Sequence, residues 1–468
     1  MINVRLYDSL KSKLIDFKSI KKDVVTMYVC GPTIYNLIHI GNARPIIVFD
    51  SMRRFFEYIG YKVIMAQNFT DIDDKIINKA NETGADIKTV SERYINEYWK
   101  DITALNVRPA NFHPKTTDYV NEIINYIEVL IEKGFAYVAE NNDVYFDVKK
   151  FEKYGELSHR KIEDMVSGTR IEANEAKKDV LDFVLWKASK EGEPYWESSW
   201  GKGRPGWHIE CSAMSTSLLG ETFDIHAGGN DLLFPHHENE RAQSIAKTGK
   251  EFANYWIHNG MLKISGDKMS KSIGNIWLVR EAVEKYGADT VKIFMLSKHY
   301  RAPIELDEAG LASQKISVDR VNNILKSAED YFEGFVPDIE KTNFMKEKIK
   351  EFTEYLSLDF NTPKTIALVF NLSKELANAL NEKAELKIKE TYHLIRNEIG
   401  TVLGAFEKTE KVEDEKTNSD EFIKALIEIR NKMRKEKNYE MSDYIRDKLL
   451  ELNVIIKDTP EGTEFSYK

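Results

Sequence analysis

Residues 24–68, VVTMYVCGPTIYNLIHIGNARPIIVFDSMRRFFEYIGYKVIMAQN, decide the fold. Val24 to Val29 form a short apolar, β-branched run of the kind found in buried parallel strands. Pro45 to Gly60 place apolar residues at helical spacing, and Lys62 to Asn68 form a second run typical of a strand. A strand, a helix and a strand within about 45 residues predict a βαβ unit and therefore a parallel sheet.

Composition indicates a folded, soluble chain of about three domains. Of the 468 residues, 42% are hydrophobic and 31% are charged, and 67 basic against 76 acidic residues give a net charge of −9. Binding to nucleic acid would therefore depend on local basic patches. No apolar run approaches the ~20 residues of a membrane span, and residues 1–23 lack the apolar centre of a secretory signal. The only cysteines, Cys30 and Cys211, suit a reducing cytoplasm.

The rest of the chain divides by pattern. Residues 115–200 interrupt the alternation of strand and helix and contain a hairpin-like stretch around Asn141-Asn142, which indicates an insertion. Residues 310–407 are helical in period. Residues 408–421 are charged and almost free of large apolar side chains, which predicts a linker before a small last module, 422–468.

The first candidate site is His39-Ile40-Gly41-Asn42, which we place in the loop between the first strand and its helix. In an open α/β sheet, ligands bind in the crevice at the carboxyl ends of the strands. Glycine lets backbone approach a nucleotide closely, and the following helix N-terminus favours a phosphate. Taken alone, these four residues are weak evidence, because a surface histidine beside a turn glycine is the commoner explanation of such a stretch.

The second candidate is Lys268-Met269-Ser270-Lys271-Ser272, which lies between two glycines. A loop with two ammonium groups can neutralise the negative charge that develops on a triphosphate as pyrophosphate leaves. The alternative is a surface loop with unremarkable lysines.

The third candidate combines both cysteines with a histidine-rich stretch. Two thiolates, one imidazole and one carboxylate, from Cys30, Cys211, His236 and Glu240, make a plausible tetrahedral Zn²⁺ set. His236 and Glu240 share one face if they lie on a helix, which makes His237 the weaker ligand candidate. Spacing alone leaves open that the cysteines are buried and inert.

Taken together, these motifs and their neighbours resemble the cysteinyl-tRNA synthetases, a family of class I aminoacyl-tRNA synthetases. The resemblance spans nearly the whole chain. The stretches that carry it are MYVCGPT (27–33), HIGNAR (39–44), NFTDIDDK (68–75), GWHIECS (206–212), HAGGNDL (226–232), FPHHENE (234–240) and KMSKS (268–272). Asn42 stands where the class motif ends in histidine, a substitution of one hydrogen-bond donor for another.

The resemblance implies an α/β fold with a Rossmann-like parallel-sheet catalytic domain, an inserted connective domain, an α-helical anticodon-binding bundle and a small C-terminal module. The expected boundaries are 1–114 and 201–262 for the catalytic domain, 115–200 for the insertion, 263–309 for the KMSKS loop and stem-contact region, 310–407 for the bundle, 408–421 for the linker and 422–468 for the C-terminal module.

The resemblance also implies an activity. The substrates would be L-cysteine, ATP and tRNA(Cys), with cysteinyl-adenylate as intermediate and Mg²⁺ accompanying ATP. One Zn²⁺ per chain, held by Cys30, Cys211, His236 and Glu240, would select the cysteine thiolate over the serine hydroxyl. The enzyme would be a cytoplasmic monomer without a membrane anchor.

Family roles carry over to single positions of this sequence. The catalytic residues would be His39, Asn42, Lys268 and Lys271. ATP would also contact Gly41 and Ser270. The cysteine pocket would be lined by Thr70, Trp207, His226 and Asp231. Anticodon contacts would come from Arg434, Asp443 and Asp458.

Two other functions are compatible with part of this pattern. A cysteine ligase of low-molecular-weight thiol biosynthesis shares the adenylation core, but residues 310–468 argue against it. A non-catalytic tRNA-binding paralogue would show damage in one of the three candidate sites, and none is visible.

Overall fold

The computed structural model describes residues 2–161, 176–264, 277–407, 415–435, 438–451, 454–459 and 462–467. Contacts divide the chain into two compact units, Met1–Glu407 and Lys408–Lys468. Within the described ranges, no helix is both long enough and apolar enough to cross a membrane.

The strands within the described ranges group into five sheets. In chain order they are β1 Arg5–Asp8, β2 Lys13–Asp16, β3 Val24–Val29, β4 Lys62–Gln67, β5 Ala136–Val138, β6 Val144–Phe146, β7 Phe183–Ala188, β8 Gly203–Pro205, β9 Phe223–Gly229, β10 Ala253–Asn259, β11 Leu262–Ile264, β12 Ile304–Leu306, β13 Val454–Thr459 and β14 Gly462–Tyr467.

The α-helices of the described ranges surround these sheets. They are α1 Ile40–Tyr58, α2 Asp74–Thr83, α3 Ile87–Ala104, α4 Val120–Glu132, α5 Trp207–Leu219, α6 Glu238–Thr248, α7 Val279–Tyr286, α8 Ala288–Leu296, α9 Glu308–Tyr331, α10 Asn343–Ser357, α11 Thr362–Glu382, α12 Glu385–His393, α13 Thr401–Leu403, α14 Glu415–Lys435 and α15 Tyr439–Glu451. Short π-helical turns occupy Leu233–His237 and Leu394–Gly400.

The central sheet is parallel, with the order β10-β9-β3-β4. The predicted βαβ unit is β3-α1-β4, with Met27 opposite Met65. The chain leaves β3 toward β4 on one side and leaves β9 toward β10 on the other, so the topology switches between β3 and β9. The crevice at such a switch point is where open α/β sheets bind ligands.

Helix α1 begins earlier than the sequence indicated. Proline is favoured in a first helical turn, which suggested a start at Pro45. The helix instead begins at Ile40, with His39 as its N-cap and Pro45 inside it. We placed His39 to Asn42 in a loop, and this is wrong for Ile40 to Asn42, which are helical. The reason is that the side-chain Oδ1 of Asn42 accepts a hydrogen bond from the backbone N–H of His39 (3.1 Å) and stabilises the earlier turn.

The segment predicted as an insertion forms its own sheet, the antiparallel β5-β6-β7-β8. The hairpin predicted around Asn141-Asn142 is confirmed as β5 and β6, and Asn142 adopts the left-handed conformation that the turn requires (φ +64°). Strand β8 ends at Pro205, beyond the boundary expected at residue 200. A separate apolar core, with Ile127 and Trp186 buried, packs α4 against this sheet.

The helical region predicted from 310 to 407 consists of α9 to α13, and its apolar faces join the core of the parallel sheet. The linker prediction is wrong from Glu415 onward, since α14 begins there. Glu and Lys form helices well even without an apolar face, so low hydrophobicity did not indicate a break. Residues 408–414 lie outside the described part of the chain.

The second unit pairs α14 and α15 with the antiparallel hairpin β13-β14. Its small core includes Ile423, Ile427, Leu449 and Val454. Asp458 ties the hairpin to α14, because it accepts hydrogen bonds from Arg430 (2.9 and 3.0 Å), Arg434 (2.5 Å) and Thr463 (2.7 Å).

We expect Asp458→Asn to destabilise this unit by about 1–2 kcal/mol, because the buried guanidinium of Arg430 loses its carboxylate. The Arg430 hydrogen bond, followed by that of Thr463, holds the pKa of Asp458 well below its ordinary 3.8. The stabilisation is therefore present above pH 3.8 and is lost as the pH falls through the lower, folded-state pKa. Hydrogen exchange of the β13-β14 amides in the full chain measures it.

The matched control is Asp443→Asn, because Asp443 is exposed and pairs with the half-exposed Arg446. That change should cost under about 0.5 kcal/mol. Equal effects of the two substitutions would contradict the role given to Asp458.

Candidate metal centre and active site

Four side chains from distant parts of the chain meet at the carboxyl edge of the parallel sheet. Cys30 directly follows β3, and Cys211 lies on α5. His236 lies in the π-helical turn before α6, and Glu240 lies on α6 itself. One ligand atom from each lies within 4.8 Å of all the others.

The distances within this group suit a small cation. The sulfur atoms of Cys30 and Cys211 are 3.9 Å apart, and the Cys30 sulfur lies 3.5 Å from Oε1 of Glu240. Tetrahedral zinc with Zn–S bonds of about 2.3 Å holds two sulfurs about 3.8 Å apart. Nε2 of His236 lies 2.9 Å from the same Oε1, a hydrogen-bond distance. Two sulfurs, one nitrogen and one oxygen form a donor set that zinc prefers.

The electrostatics of the group also favour a cation. Burial alone would raise the pKa of Glu240, but the imidazoles of His226 and His236 hold it well below its ordinary value. Burial would lower the pKa of His236, but the Glu240 carboxylate, aided by Cys211, raises it to about 10. Burial and the neighbouring Cys211 raise the pKa of the Cys30 thiol. The Cys30 hydrogen bond lowers the pKa of the Cys211 thiol to about 6. Near neutral pH the charged groups are therefore the Cys211 thiolate, the Glu240 carboxylate and the imidazolium of His236, whose proton a metal ion would replace.

A second set of possible ligands overlaps the first. It keeps Cys30 and Glu240 and replaces the other two residues with His226 and His237. His237 is already hydrogen-bonded through Nδ1 to Nε2 of His258 (2.8 Å), and the set contains only one sulfur. The two-sulfur set suits zinc better, because thiolates are its stronger ligands.

The backbone beside Cys30 is held by a close approach that only glycine allows. Gly31 donates its N–H to Oδ1 of Asn68 (2.9 Å). A Cβ at position 31 would lie 1.7 Å from the backbone oxygen of Asn68. The end of β3, and with it Cys30, therefore depends on a residue without a side chain.

Gly31→Ala is expected to separate the end of β3 from Asn68, which moves Cys30 away from Cys211. We expect less than half of the wild-type zinc content and a loss of about 3 kcal/mol in the free energy of unfolding, the upper end for single substitutions. Metal analysis and denaturant unfolding measure both. Gly310→Ala, whose Cβ would meet nothing nearer than 3.2 Å, is the control. Full zinc content in Gly31→Ala would contradict this explanation.

Two of the four residues predicted to line a cysteine pocket contact this group. Trp207 stacks on the ring of His236, with centroids 4.3 Å apart, and 42% of the tryptophan is exposed. His226 instead contacts the metal group directly, since its Nε2 lies 2.8 Å from Oε2 of Glu240. Asp231 is exposed in the turn after β9, and Thr70 is buried beyond the end of β4.

The sequence analysis missed two residues that hold this site. Glu210 is buried, and its Oε2 accepts hydrogen bonds from Thr70 and Thr116, each at 2.9 Å. His208 contacts His236 through the two Nδ1 atoms at 2.8 Å. Both lie in the GWHIECS stretch beside Cys211, so proximity to a candidate ligand was the available signal.

Of the residues predicted to bind ATP, some lie in the described part of the chain and others do not. His39, Gly41 and Asn42 form the N-terminal turn of α1, at the carboxyl edge of the parallel sheet. Oδ1 of Asn42 accepts the hydrogen bond from the His39 backbone, so the N–H₂ group of the Asn42 side chain is the one that can donate to a ligand. Lys268, Ser270 and Lys271 lie outside the described residues.

The residues expected to read an anticodon lie in the second unit. Asp458 is engaged by two arginines, and Arg434, one of them, is half-exposed. Asp443 is exposed beside Arg446. The structure therefore gives Asp458 a structural role within its own unit and leaves Asp443 accessible.

Comparison with known proteins matches the chain to defined families. Residues 16–316 match the family described as "tRNA synthetases class I (C) catalytic domain", and residues 351–407 match the DALR domain. The "Cysteine--tRNA ligase" of Petrotoga mobilis is 56% identical over 463 residues, which cover 99% of both chains. This chain belongs to the cysteine–tRNA ligase family.

Other members of the cysteine–tRNA ligase family agree over similar lengths. The protein of Thermosipho africanus is 58% identical, and the match covers 96% of this chain and 96% of that protein. The protein of Thermotoga maritima is 55% identical, and the match covers 99% of this chain and 100% of that protein. Membership therefore extends through the C-terminal unit.

Solved structures agree on the fold. Mycobacterium tuberculosis methionyl-tRNA synthetase, in complex with methionyl-adenylate, has a TM-score of 0.58 at 13% identity, over 81% of this chain and 90% of that one. The agnB2 LeuRS of Agrobacterium radiobacter, in a ternary complex with tRNA and LeuAMS, has a TM-score of 0.60 at 11% identity. The match covers 83% of this chain and 85% of that one. The predicted class I synthetase fold, with its α/β sheet and helical C-terminal part, is thus confirmed.

Proposed function

We propose that this chain is a cysteine–tRNA ligase, which joins L-cysteine to ATP as cysteinyl-adenylate, releases pyrophosphate and transfers cysteine to the 3′ end of tRNA(Cys). The observation that carries the proposal is the convergence of Cys30, Cys211, His236 and Glu240 at the switch point of the parallel sheet. Family membership over nearly the full length supports it.

Zinc is the cation that the four ligands suit best, at one ion per chain. Bound there, it would supply a Lewis acid that binds the substrate thiolate and lowers the thiol pKa, whereas the neutral hydroxyl of serine is a poor ligand. Serine and cysteine differ little in size, so a pocket shape alone would separate them poorly. A metal–sulfur bond supplies the missing discrimination.

The protein's own residues would orient that group. His226 holds Oε2 of Glu240, which leaves Oε1 facing the thiols. Trp207 covers the ring of His236 and extends to the surface, so it can border the substrate as well. Glu210 fixes the hydroxyl of Thr70. The exposed carboxylate of Asp231 is available to accept the substrate ammonium group.

Adenylation would take place at the start of α1. The carboxylate of cysteine attacks the α-phosphate of ATP in line, and pyrophosphate leaves. The imidazole of His39 and the amide N–H₂ of Asn42 would donate to phosphate oxygens, and Gly41 would let adenosine approach the backbone. Lys268 and Lys271 would neutralise the leaving pyrophosphate together with the Mg²⁺ that accompanies ATP, and Ser270 would contact ATP.

Recognition of tRNA would involve the helical region and the second unit. Arg434 and Asp443 are accessible on α14 and α15, and Tyr439 is 59% exposed, so it can stack on a base. Asp458 would then act indirectly, by orienting Arg434. We expect the enzyme to act as a cytoplasmic monomer.

The test is cysteine-dependent exchange of pyrophosphate into ATP, followed by aminoacylation of a tRNA(Cys) transcript. We expect both reactions with cysteine and neither with serine, and we expect prior removal of zinc by a strong chelator to abolish cysteine-dependent exchange. Readdition of zinc should restore it. Exchange that is equal with serine, or exchange without charging of tRNA(Cys), would refute the proposal.

A further inference from the structure

Tyr28 is a buried tyrosine on β3, and its hydroxyl group has no hydrogen-bond partner among the described residues. None of its surface is accessible to solvent. An unpaired hydroxyl in a protein interior costs free energy, and phenylalanine would fill the same space without that cost. The hydroxyl is therefore more than part of the packing, and its surroundings indicate what it can bind.

The fold places Tyr28 beside the metal group. Cys30 continues the ladder of β3, since its N–H donates to the carbonyl of Ala227 (3.1 Å). Residues two positions apart on a strand share one face of the sheet, so Tyr28 lies on the same face as Cys30. Across the sheet, Tyr28 is paired in register with His226, and the two rings meet edge to face with centroids 5.5 Å apart. His226 in turn contacts Oε2 of Glu240 (2.8 Å).

The two cysteines are the acceptors in the surroundings of Tyr28. They share a cluster with Tyr28 in which the other members are mainly aliphatic and aromatic, including Met214 and Phe223. Burial, followed by the charges of Cys211 and Cys30, raises the pKa of Tyr28 well above its ordinary value. The phenol therefore keeps its proton near neutral pH, and the groups beside it that can accept a hydrogen bond are sulfurs.

Metal binding would change what these sulfurs accept. The thiol of Cys30 donates to the sulfur of Cys211 (3.9 Å). Oδ1 of Asn68 lies 3.7 Å from the same sulfur, but this atom has no hydrogen to donate. A cation bound by both sulfurs displaces the Cys30 proton, because metal ligands must be deprotonated. The Cys211 thiolate then lacks the donor that it had and can accept the hydroxyl of Tyr28.

The charge of the ligand set favours such a donor. Two thiolates and one carboxylate exceed the charge of Zn²⁺ by one, and a further thiolate would raise that excess to two. A neutral O–H group offsets buried negative charge without adding a cation. It also reduces the electron density that the thiolate gives to the metal, which leaves the metal a stronger Lewis acid toward another sulfur.

We propose that the hydroxyl of Tyr28 donates a hydrogen bond to the Cys211 thiolate when the metal is bound, and thereby favours the binding of a third thiolate. Tyr28 acts through Cys211, so it is a positioning residue. The inference rests on the proposed function only for the identity of the third thiolate, which is that of L-cysteine. The hydrogen bond itself requires only the metal.

Tyr28→Phe tests the hydrogen bond, because it removes the hydroxyl and keeps the ring. The first measurement is the absorption spectrum of the full-length protein loaded with Co²⁺ in place of zinc, without substrate. A thiolate that loses a hydrogen-bond donor gives up electrons more easily, so the sulfur-to-cobalt charge-transfer band should move to longer wavelength. A band at the wild-type wavelength would overturn the proposal.

Unfolding with and without zinc gives a second measurement. Zinc-loaded Tyr28→Phe should unfold at a lower denaturant concentration than wild type, and its Kd for zinc should rise about 10-fold in competition with a chelator. After removal of zinc it should unfold at the wild-type concentration or above, because the lost hydroxyl was unpaired. An equal loss of stability in both forms would show a merely structural role and refute the assigned bond.

Tyr255→Phe is the matched control, because Tyr255 is a buried tyrosine on β10 of the same sheet. Its hydroxyl accepts the N–H of Lys18 (2.8 Å) and donates to the carbonyl of Asp16 (3.0 Å). This change should lower stability equally with and without zinc and leave the cobalt band and the zinc Kd unchanged. A band shift as large as that of Tyr28→Phe would contradict a specific contact with Cys211.

The effect on the substrate is measured separately by pyrophosphate exchange. In zinc-loaded Tyr28→Phe the cysteine KM should rise about 10-fold with kcat within about twofold, because the third thiolate meets a weaker Lewis acid. A shifted cobalt band with an unchanged KM would overturn the role in binding the third thiolate. Wild-type protein without cysteine-dependent exchange would refute the proposed function, and the cobalt band would still decide whether Tyr28 donates to Cys211.

Discussion

Cys211→Ser is expected to raise the KM for cysteine by at least 100-fold and to reduce bound zinc well below one ion per chain. Cys211 supplies one of the two sulfurs of the ligand set, 3.9 Å from the other. Serine keeps the shape of the side chain but offers a neutral hydroxyl, which binds zinc weakly. Because the substrate sulfur would bind the same ion, loss of the metal removes most of the affinity for cysteine.

The same substitution should also reduce discrimination between cysteine and serine. Without zinc, the two substrates would differ only by packing against sulfur or oxygen, a difference of about 10- to 200-fold. Zinc content by metal analysis and the ratio of kcat/KM values for the two amino acids measure the effect. Unchanged discrimination would contradict selection by a metal.

Ser215→Ala is the matched control for this helix. Ser215 lies one turn beyond Cys211 on α5, is buried and donates its hydroxyl to the Cys211 carbonyl (2.6 Å). It should leave zinc content at one ion per chain and the cysteine KM within about threefold. A loss of zinc equal to that of Cys211→Ser would indicate general disruption of α5 instead of a lost ligand.

Lys271→Ala is expected to lower the rate of adenylation by about 100- to 1,000-fold with little change in cysteine affinity. The ammonium group would act on charge that develops only as pyrophosphate leaves, so its loss raises the barrier without weakening the ground state for cysteine. Pyrophosphate exchange at saturating cysteine, with kcat and both KM values determined, separates these effects.

Lys263→Ala provides the comparison, since Lys263 is an exposed lysine on β11 in the same part of the chain. It should leave exchange within about twofold. An unaffected exchange rate in Lys271→Ala, or an equal loss in Lys263→Ala, would contradict the assignment of pyrophosphate stabilisation to Lys271.

The parallel sheet could be predicted because its signals are local. The apolar run of β3, the helical spacing of α1 and the run of β4 each occupy a few neighbouring residues, and each is found where expected. The start of α1 was missed because the contact that stabilises it, Asn42 to His39, resembles part of a ligand-binding motif more than a helix cap.

The metal group could be proposed from residue types but not established from spacing. Cys30 and Cys211 are 181 positions apart in sequence, and only the pairing of β3 with β9 and the packing of α5 bring them together. The preference for His236 over His237 followed from its spacing of four residues to Glu240. In the structure His236 lies 2.9 Å from Glu240, whereas His237 contacts His258.

Residues whose partners are backbone atoms carried no sequence signal. Arg44 could be recognised as part of a motif, but the carbonyls it binds come from positions more than two hundred residues later. The partners of Asp458 carried no signal either, since the residue is expected to read a base and the structure pairs it with Arg430 and Arg434. Side-chain type indicates what a group can bind, and only the fold determines what lies beside it.

The central claim is that zinc held by Cys30, Cys211, His236 and Glu240 binds the sulfur of the substrate. X-ray absorption at the zinc edge of the full-length protein tests this most directly, because it counts sulfur neighbours of the ion. The account predicts two sulfurs per zinc in the protein alone, three with L-cysteine and two with L-serine. Two sulfurs in all three samples, or a count of four before cysteine is added, would contradict it.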